Sequence, residues 1–189
     1  MVTPAHDLLR RVLLFRELGD DMLDRLAAHL HRRAYRSATI VCDKDQPGDA
    51  MYIIESGRVR IFVPAQGGEE LTLDHLGPGD VFGEMALLDG LPRSASAVTV
   101  EDSVLFMMSR DTFQLQLAES PQLASALLAM LSMRMRRLIE YTETLAFLDV
   151  YGRVAHVLLD MADRHGVQKD GGVLIDLAIT QAELATMIG

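Results

Sequence analysis

From about residue 35 to 107 the apolar residues arrive in short runs fenced by Gly, Pro and Asp. They are Thr39-Ile40-Val41, Met51-Tyr52-Ile53-Ile54, Val59-Arg60-Ile61-Phe62-Val63, Leu71-Thr72-Leu73, Ala97-Val98-Thr99-Val100 and Val104-Leu105-Phe106-Met107. Turn signals such as Gly67-Gly68 and Gly77-Pro78-Gly79 separate them. Runs of this length cannot carry helices that bury a face, and short strands at this spacing predict an antiparallel barrel or sandwich.

The flanks read as helical. Residues 8 to 34 place Leu8, Leu9, Val12, Leu13 and then Met22, Leu23, Leu26, Ala27 and Leu30 at helical spacing, with Gly19-Asp20-Asp21 as break and cap. Pro121 opens a helix predicted to run to about Leu148 without Gly or Pro. Within it Leu128, Leu131, Met135, Leu138 and Leu145 recur at three and four, with Thr142 in the remaining seam position, which is a heptad pattern. Burial of this stripe against the barrel is the competing reading. Leu127, Met130 and Ile139 flank the seam, so one side is expected to touch the barrel while the other meets a second copy of the chain.

The chain has 189 residues, about half of them apolar (49%), enough for one ordinary domain and a smaller piece. No apolar run approaches the ~18 residues of a membrane span. The start, with Asp7, Arg10 and Arg11 around Val12-Leu13-Leu14-Phe15, lacks the layout of a signal peptide, so a cytoplasmic protein without membrane contact is expected. The single cysteine, Cys42, excludes internal disulfides and reads as a small buried apolar residue.

Chemistry concentrates in Phe82-Gly83-Glu84-Met85-Ala86-Leu87-Leu88-Asp89-Gly90-Leu91-Pro92-Arg93-Ser94-Ala95-Ser96. A glycine lets backbone N–H groups approach an anion, and a short loop returns with one arginine followed by small residues. One guanidinium matches the single charge of a cyclic phosphodiester with two parallel hydrogen bonds. Glu84 repels a bare phosphate but accepts from a ribose hydroxyl, so the pair points to a sugar phosphate. The bland alternative is a surface turn with an ordinary Glu–Arg ion pair.

This segment resembles the phosphate-binding cassette of the cyclic nucleotide-binding fold, shared by kinase regulatory subunits, gated channels and the CRP/FNR transcription regulators. The resemblance implies that Glu84 holds the ribose 2′-hydroxyl and Arg93 the cyclic phosphate, while Gly83, Met85 and Ser94 lend backbone or hydroxyl contacts. Upstream, Pro47-Gly48-Asp49-Ala50-Met51-Tyr52-Ile53-Ile54-Glu55-Ser56-Gly57-Arg58-Val59 resembles the turn-strand-turn that opens the same barrel. One departure is Lys44, which stands where the family usually has the Gly of a Gly-Asp turn. A lone cysteine cannot supply an iron–sulfur cluster, which disfavours the oxygen-sensing branch.

Leu145-Ala146-Phe147-Leu148-Asp149-Val150-Tyr151-Gly152-Arg153-Val154-Ala155 resembles the hinge between dimer helix and DNA-binding domain in catabolite-activator-type members of this family. Phe147, Leu148 and Asp149 would form the hinge. Asp149 also suits the N-cap of a helix over 150–164 with Val154, Val157, Leu158 and Met161 on its apolar face. After His165-Gly166 a polar turn leads to a short strand, Gly172-Val173-Leu174-Ile175-Asp176. A helix from Thr180-Gln181 follows, with Thr180 and Glu183 as a capping box and Leu184, Ala185 and Ile188 as the buried face. This helix resembles the first helix of a helix-turn-helix, with Gly189 in the turn. Thr180 and Gln181 are the residues expected near DNA, and the recognition helix would lie beyond residue 189.

In catabolite-activator-type members a polar pair on the dimer helix reads the adenine. Counted forward from Arg93, that pair falls on Leu138 and Ile139, and neither can hydrogen-bond a base. Three readings stand: apolar stacking on the base, a ligand with another base, or a site that has lost its nucleotide. Thr142, one turn on, serves if the register differs.

The net charge of −9 is unusual for a DNA-binding protein, and the visible basic cluster is Arg134, Arg136 and Arg137. An enzyme or metal site finds no support. His29 and His31 are two apart and would face different sides of a helix, and no G-x-S-x-G, H-E-x-x-H or Walker loop occurs.

The expected protein is α+β. Residues 1–120 form an antiparallel β-barrel or jelly-roll sensor, 121–148 a dimerisation helix, and 149–189 the start of a winged helix-turn-helix. Its effector is a cyclic nucleotide, cAMP first, with no metal. Its partners are a second copy, double-stranded DNA and RNA polymerase. The alternatives are a cyclic nucleotide-binding dimerisation module that controls a partner protein, and a CRP/FNR regulator with another ligand or none.

Overall fold

The computed structural model describes residues 4–65, 67–175, 177 and 179–188. The chain packs as two compact units, Met1–Leu131 and Ser132–Gly189, and the division falls inside the long helix.

In the first unit, α1 (Pro4–Arg11) and α2 (Asp20–Ala28) precede the strands β1 (His31–Tyr35), β2 (Ile40–Cys42), β3 (Ala50–Ser56), β4 (Val59–Pro64), β5 (Glu70–Leu76) and β6 (Val81–Phe82). A short helix α3 (Glu84–Asp89) then leads to β7 (Ser96–Thr99) and β8 (Ser103–Ser109), followed by α4 (Arg110–Glu119) and the start of α5 (Pro121–Phe147). The strands form two antiparallel four-stranded sheets, ordered β1-β8-β3-β6 and β2-β7-β4-β5.

The apolar run of β3 explains how the layers stack. Alternate side chains of a strand point to opposite faces. Ala50, Tyr52 and Ile54 join Val59, Leu76, Phe82, Ala97 and Leu105, drawn from both sheets, so this cluster is the barrel interior. Met51 and Ile53 face the other way, into a cluster with Leu9, Phe15, Leu23, Leu26, Phe113, Leu123, Leu127 and Met130 from the helices. β8 alternates likewise, with Leu105 inward and Phe106 and Met108 toward the helices.

The first unit differs locally from the sequence reading. The helical signal expected to reach residue 34 stops at Ala28, and 31–35 is an edge strand whose side chains are mostly exposed. Backbone pairing with β8, His31 opposite Met107 through Tyr35 opposite Ser103, makes it a strand, and no apolar alternation marks it. The helices α3 and α4 and the strand β6 were not foreseen. Ser109 caps α4 by accepting from the Thr112 N–H, and Phe113 is fully buried beneath it. At the turn after β2 the left-handed residue is Asp45 (φ 67°), so Lys44 is not asked for a glycine's backbone. Asp tolerates that region better than most residues.

The second unit contains α5 from Ser132, α6 (Val150–His165), the hairpin β9 (Gly166–Lys169) and β10 (Gly172–Ile175), and α7 (Gln181–Ile188). Asp149 caps α6, its carboxylate accepting from the Gly152 N–H at 2.8 Å. Asp149→Ala is expected to destabilise this unit by about 1 kcal/mol, read as a lower midpoint in thermal unfolding followed by circular dichroism.

Met161 is buried, Val154 and Val157 are half-buried, and Leu158 is 40% exposed. The stretch after Gly166, read from sequence as a polar turn, is β9, paired with β10 around Asp170-Gly171 with Gly171 at φ 93°. The capping box of α7 is formed: Thr180 N–H donates to Glu183 Oε2 at 2.7 Å, and Glu183 N–H to Thr180 Oγ1 at 3.1 Å. Its buried face is narrower than expected, because Ile188 is buried and Leu184 half-buried while Ala185 is exposed. Asp176 and Gly189, assigned above to a strand and a turn, lie outside the described residues. Among the described residues no helix is long and apolar enough to cross a membrane.

Candidate functional site

The site grows from the β6–α3 junction. Gly83 is the N-cap of α3 at φ 81°, a conformation L side chains rarely adopt. A Cβ there would lie 2.5 Å from Arg93 Nη1 and 3.3 Å from the Ala50 carbonyl oxygen. Glycine is required twice over, by backbone and by space. Gly90 closes α3 at φ 72°, and Leu91-Pro92 carry the chain to Arg93.

Arg93 is sewn to the β2–β3 turn on both sides of its peptide: its N–H donates to Gln46 O at 2.8 Å and its carbonyl accepts from Asp45 N–H at 2.9 Å. The side chain is 4% exposed. Nη1 donates to Gly83 O at 2.7 Å and Nη2 to Ala50 O at 2.6 Å. Nε has no hydrogen-bond partner, and among the described residues no carboxylate forms an ion pair with Arg93. A buried cation held only by neutral carbonyls is ready for an anion.

Glu84, in the first turn of α3, is 1% exposed. Ser94 and Met85 meet at the surface, Oγ to Sδ at 3.7 Å. The fold therefore gathers Gly83, Glu84, Met85, Arg93 and Ser94 into one cassette, with both ionisable members inside.

Further residues line the same interior. The Tyr52 ring stacks on Phe82 at 5.0 Å and 18°, and Arg93 Cζ lies 5.9 Å from the Tyr52 centroid. Burial pushes the Tyr52 phenol up, with the Arg93 charge opposing it. Burial likewise raises the Cys42 thiol against the same charge, which suits an unreactive wall residue. Tyr52 was hidden in a strand pattern, since alternation marks burial but not what a buried ring faces.

Leu138, Ile139 and Thr142 belong to the part of α5 in the second unit, and all are exposed, Leu138 by 64% and Ile139 by 53%. Ile139, read as a flank of the seam, is thus an exposed residue of the second unit. The Thr142 hydroxyl donates to Leu138 O at 2.8 Å, so its proton is used within the helix. Of the seam residues, Leu128, Met135 and Leu145 are exposed by 65%, 65% and 42%, whereas Leu131 is half-buried against the helical core with Leu127 and Met130. Phe147 ends α5 at 83% exposure, Leu148 is 38% exposed, and Gln181 is exposed beside Thr180.

Residues 32–120 match the family model of the cyclic nucleotide-binding domain. The chain is 34% identical over 183 residues to the CRP-like cAMP-activated global transcriptional regulator of Mycobacterium tuberculosis H37Rv, covering 97% of this chain and 82% of that protein. It is 38% identical over 148 residues to the cyclic AMP receptor protein of Thermus thermophilus, covering 78% and 68%. Among solved structures it is similar to the c-di-GMP responsive global regulator CLP of Xanthomonas campestris, with a TM-score of 0.76 and 27% identity over 90% of this chain and 84% of that one. It is also similar to the Thermus thermophilus catabolite activator protein, with a TM-score of 0.66 and 34% identity over 93% and 79%. With a cassette of this geometry, a matching domain model and a relative matched along nearly its whole length, the chain belongs to the CRP/FNR family of transcription regulators.

Proposed function

We propose that this chain is a ligand-responsive homodimeric transcription regulator whose barrel binds a cyclic nucleotide and whose second unit controls binding to double-stranded DNA. The observation that carries the reading is Arg93, a buried guanidinium without an ion-pair partner among the described residues, on the same short cassette as the buried carboxylate Glu84. Arg93 would take the cyclic phosphate and Glu84 the ribose 2′-hydroxyl, with Gly83, Met85 and Ser94 at the rim.

cAMP is the first ligand to test, because the relatives are named for it; CLP, named for c-di-GMP, makes base and ring size the variables. Calorimetric titration with cAMP, cGMP and c-di-GMP is expected to give saturable binding of at least one, weakened about tenfold in Glu84→Gln. Absence of binding for all three sinks the nucleotide reading.

The exposed stripe Leu128, Met135, Leu138 and Leu145, together with Leu131, is the proposed dimer seam. Leu138→Asp is expected to turn a dimer into a monomer in light scattering, since a charge in an apolar seam is desolvated without a partner. An unchanged mass removes the seam from the proposal. Ligand binding then acts as a population shift: the state with a filled cassette favours one arrangement of the hinge residues Phe147, Leu148 and Asp149. Thr180 and Gln181, at the start of α7, are proposed to lie near the DNA backbone, and RNA polymerase is the partner on the promoter.

A further inference from the structure

A second arginine stands behind the cassette. Arg110 is the first residue of α4, and its Nη2 donates to Gly48 O at 2.6 Å and to Ala86 O at 2.7 Å. Its own N–H donates to Asp49 O at 2.7 Å. Farther along α4, Gln114 Nε2 donates to Leu87 O at 3.0 Å, a second tie from this helix to α3.

The two arginines cross-link the same two segments. Arg93 joins Ala50 O to Gly83 O, and Arg110 joins Gly48 O to Ala86 O. The segments 48–50 and 83–86 are thus clasped at both ends. They also touch, because a Cβ on Gly48 would clash with the Ala86 Cβ. Of the five N–H groups of Arg93, one on each terminal nitrogen is given to Gly83 O and Ala50 O, which leaves Nε–H and a second N–H on each terminal nitrogen for a phosphate.

We infer that Arg110 is a positioning residue of the cassette: it holds the β2–β3 turn and α3 together around Arg93, and it ties that pair to α4. This rests on the proposed nucleotide function for its ligand, but the clasp itself is testable without one. Phe113 of α4 shares its core with Leu123, Leu127 and Met130 of α5, so the clasp is fastened to the layer from which α5 departs.

The test compares Arg110→Met and Arg110→Lys in the full chain by two readouts: calorimetry with cAMP, cGMP and c-di-GMP, and amide exchange at residue 93, bonded to Gln46, and at residue 110, bonded to Asp49. The Met variant is expected to lose about 10- to 100-fold in affinity, the weight of one or two hydrogen bonds from a charged group, and to exchange faster at both amides. Lysine, whose single ammonium carries three donors, is expected to restore most of both. Wild-type affinity and wild-type exchange in Arg110→Met overturn the inference, and so does equal loss in Met and Lys. If the wild type binds none of the three nucleotides, the functional reading fails, and exchange alone decides the clasp. If the Met variant does not fold, Arg110→Gln takes its place against lysine with the same readouts.

Discussion

Arg93→Met is expected to weaken cyclic nucleotide binding by about a hundred- to a thousandfold while leaving the barrel folded. Truncating one member of a buried, hydrogen-bonded charge pair costs about 2–5 kcal/mol, and each 1.4 kcal/mol is a factor of ten. Folding should survive because two opposing effects meet at this side chain. Losing the guanidinium orphans the Gly83 and Ala50 carbonyls, worth about 1–3 kcal/mol. It also removes a buried cation that no carboxylate balances, and methionine keeps the apolar stem. Calorimetry and thermal unfolding on one preparation decide the matter: equal affinity shows the cassette reading to be wrong, and an unfolded variant shows Arg93 to be structural first.

Gly57→Val is expected to have the largest effect on stability, about 2–5 kcal/mol. Gly57 sits between β3 and β4 at φ 85°, where a residue with a Cβ loses roughly 1–2 kcal/mol. The added atom would also lie 2.6 Å from Ser103 Cα and Cβ, and over-packing of this kind costs about 1–3 kcal/mol. Backbone at such a contact cannot swing aside. Ser103 is itself fixed, its hydroxyl donating to Glu101 O at 2.8 Å and accepting from Arg58 N–H at 3.2 Å. Against a total stability of about 5–15 kcal/mol, the change should appear as a large drop in the urea midpoint at constant slope. An unchanged midpoint would mean that the β3–β4 turn is far softer than its contacts imply.

What the sequence made legible follows from where each signal resides. The cassette was readable because its chemistry needs particular residue types: a glycine where φ is positive, a carboxylate for a hydroxyl, a guanidinium for a phosphate. Gly83, Glu84 and Arg93 meet each requirement, and the fold brings them together. The inner strands were readable from apolar runs between turn residues. β1 was not, because His31-Arg32-Arg33-Ala34-Tyr35 buries almost nothing and is a strand only through its neighbour β8. Arg110 escaped for a related reason. Its partners are the backbone oxygens of Gly48 and Ala86, and any sequence supplies backbone oxygens; only the fold brings these two within reach of one nitrogen. Tyr52 and Phe82 show the limit from another side, since burial was evident while ring stacking depends on two strands lying side by side.

β3 is a partition one residue thick, with Tyr52 facing the barrel interior and Met51 and Ile53 on the helical side. Movement on one face of the strand is expected to be felt on the other, because Met51, Ile53 and Ile54 are fully buried. If the proposed nucleotide fills the barrel, Met51 and Ile53 on the far face of this wall are expected to tune the response to it, and natural variation in sensitivity should accumulate there as well as in the cassette.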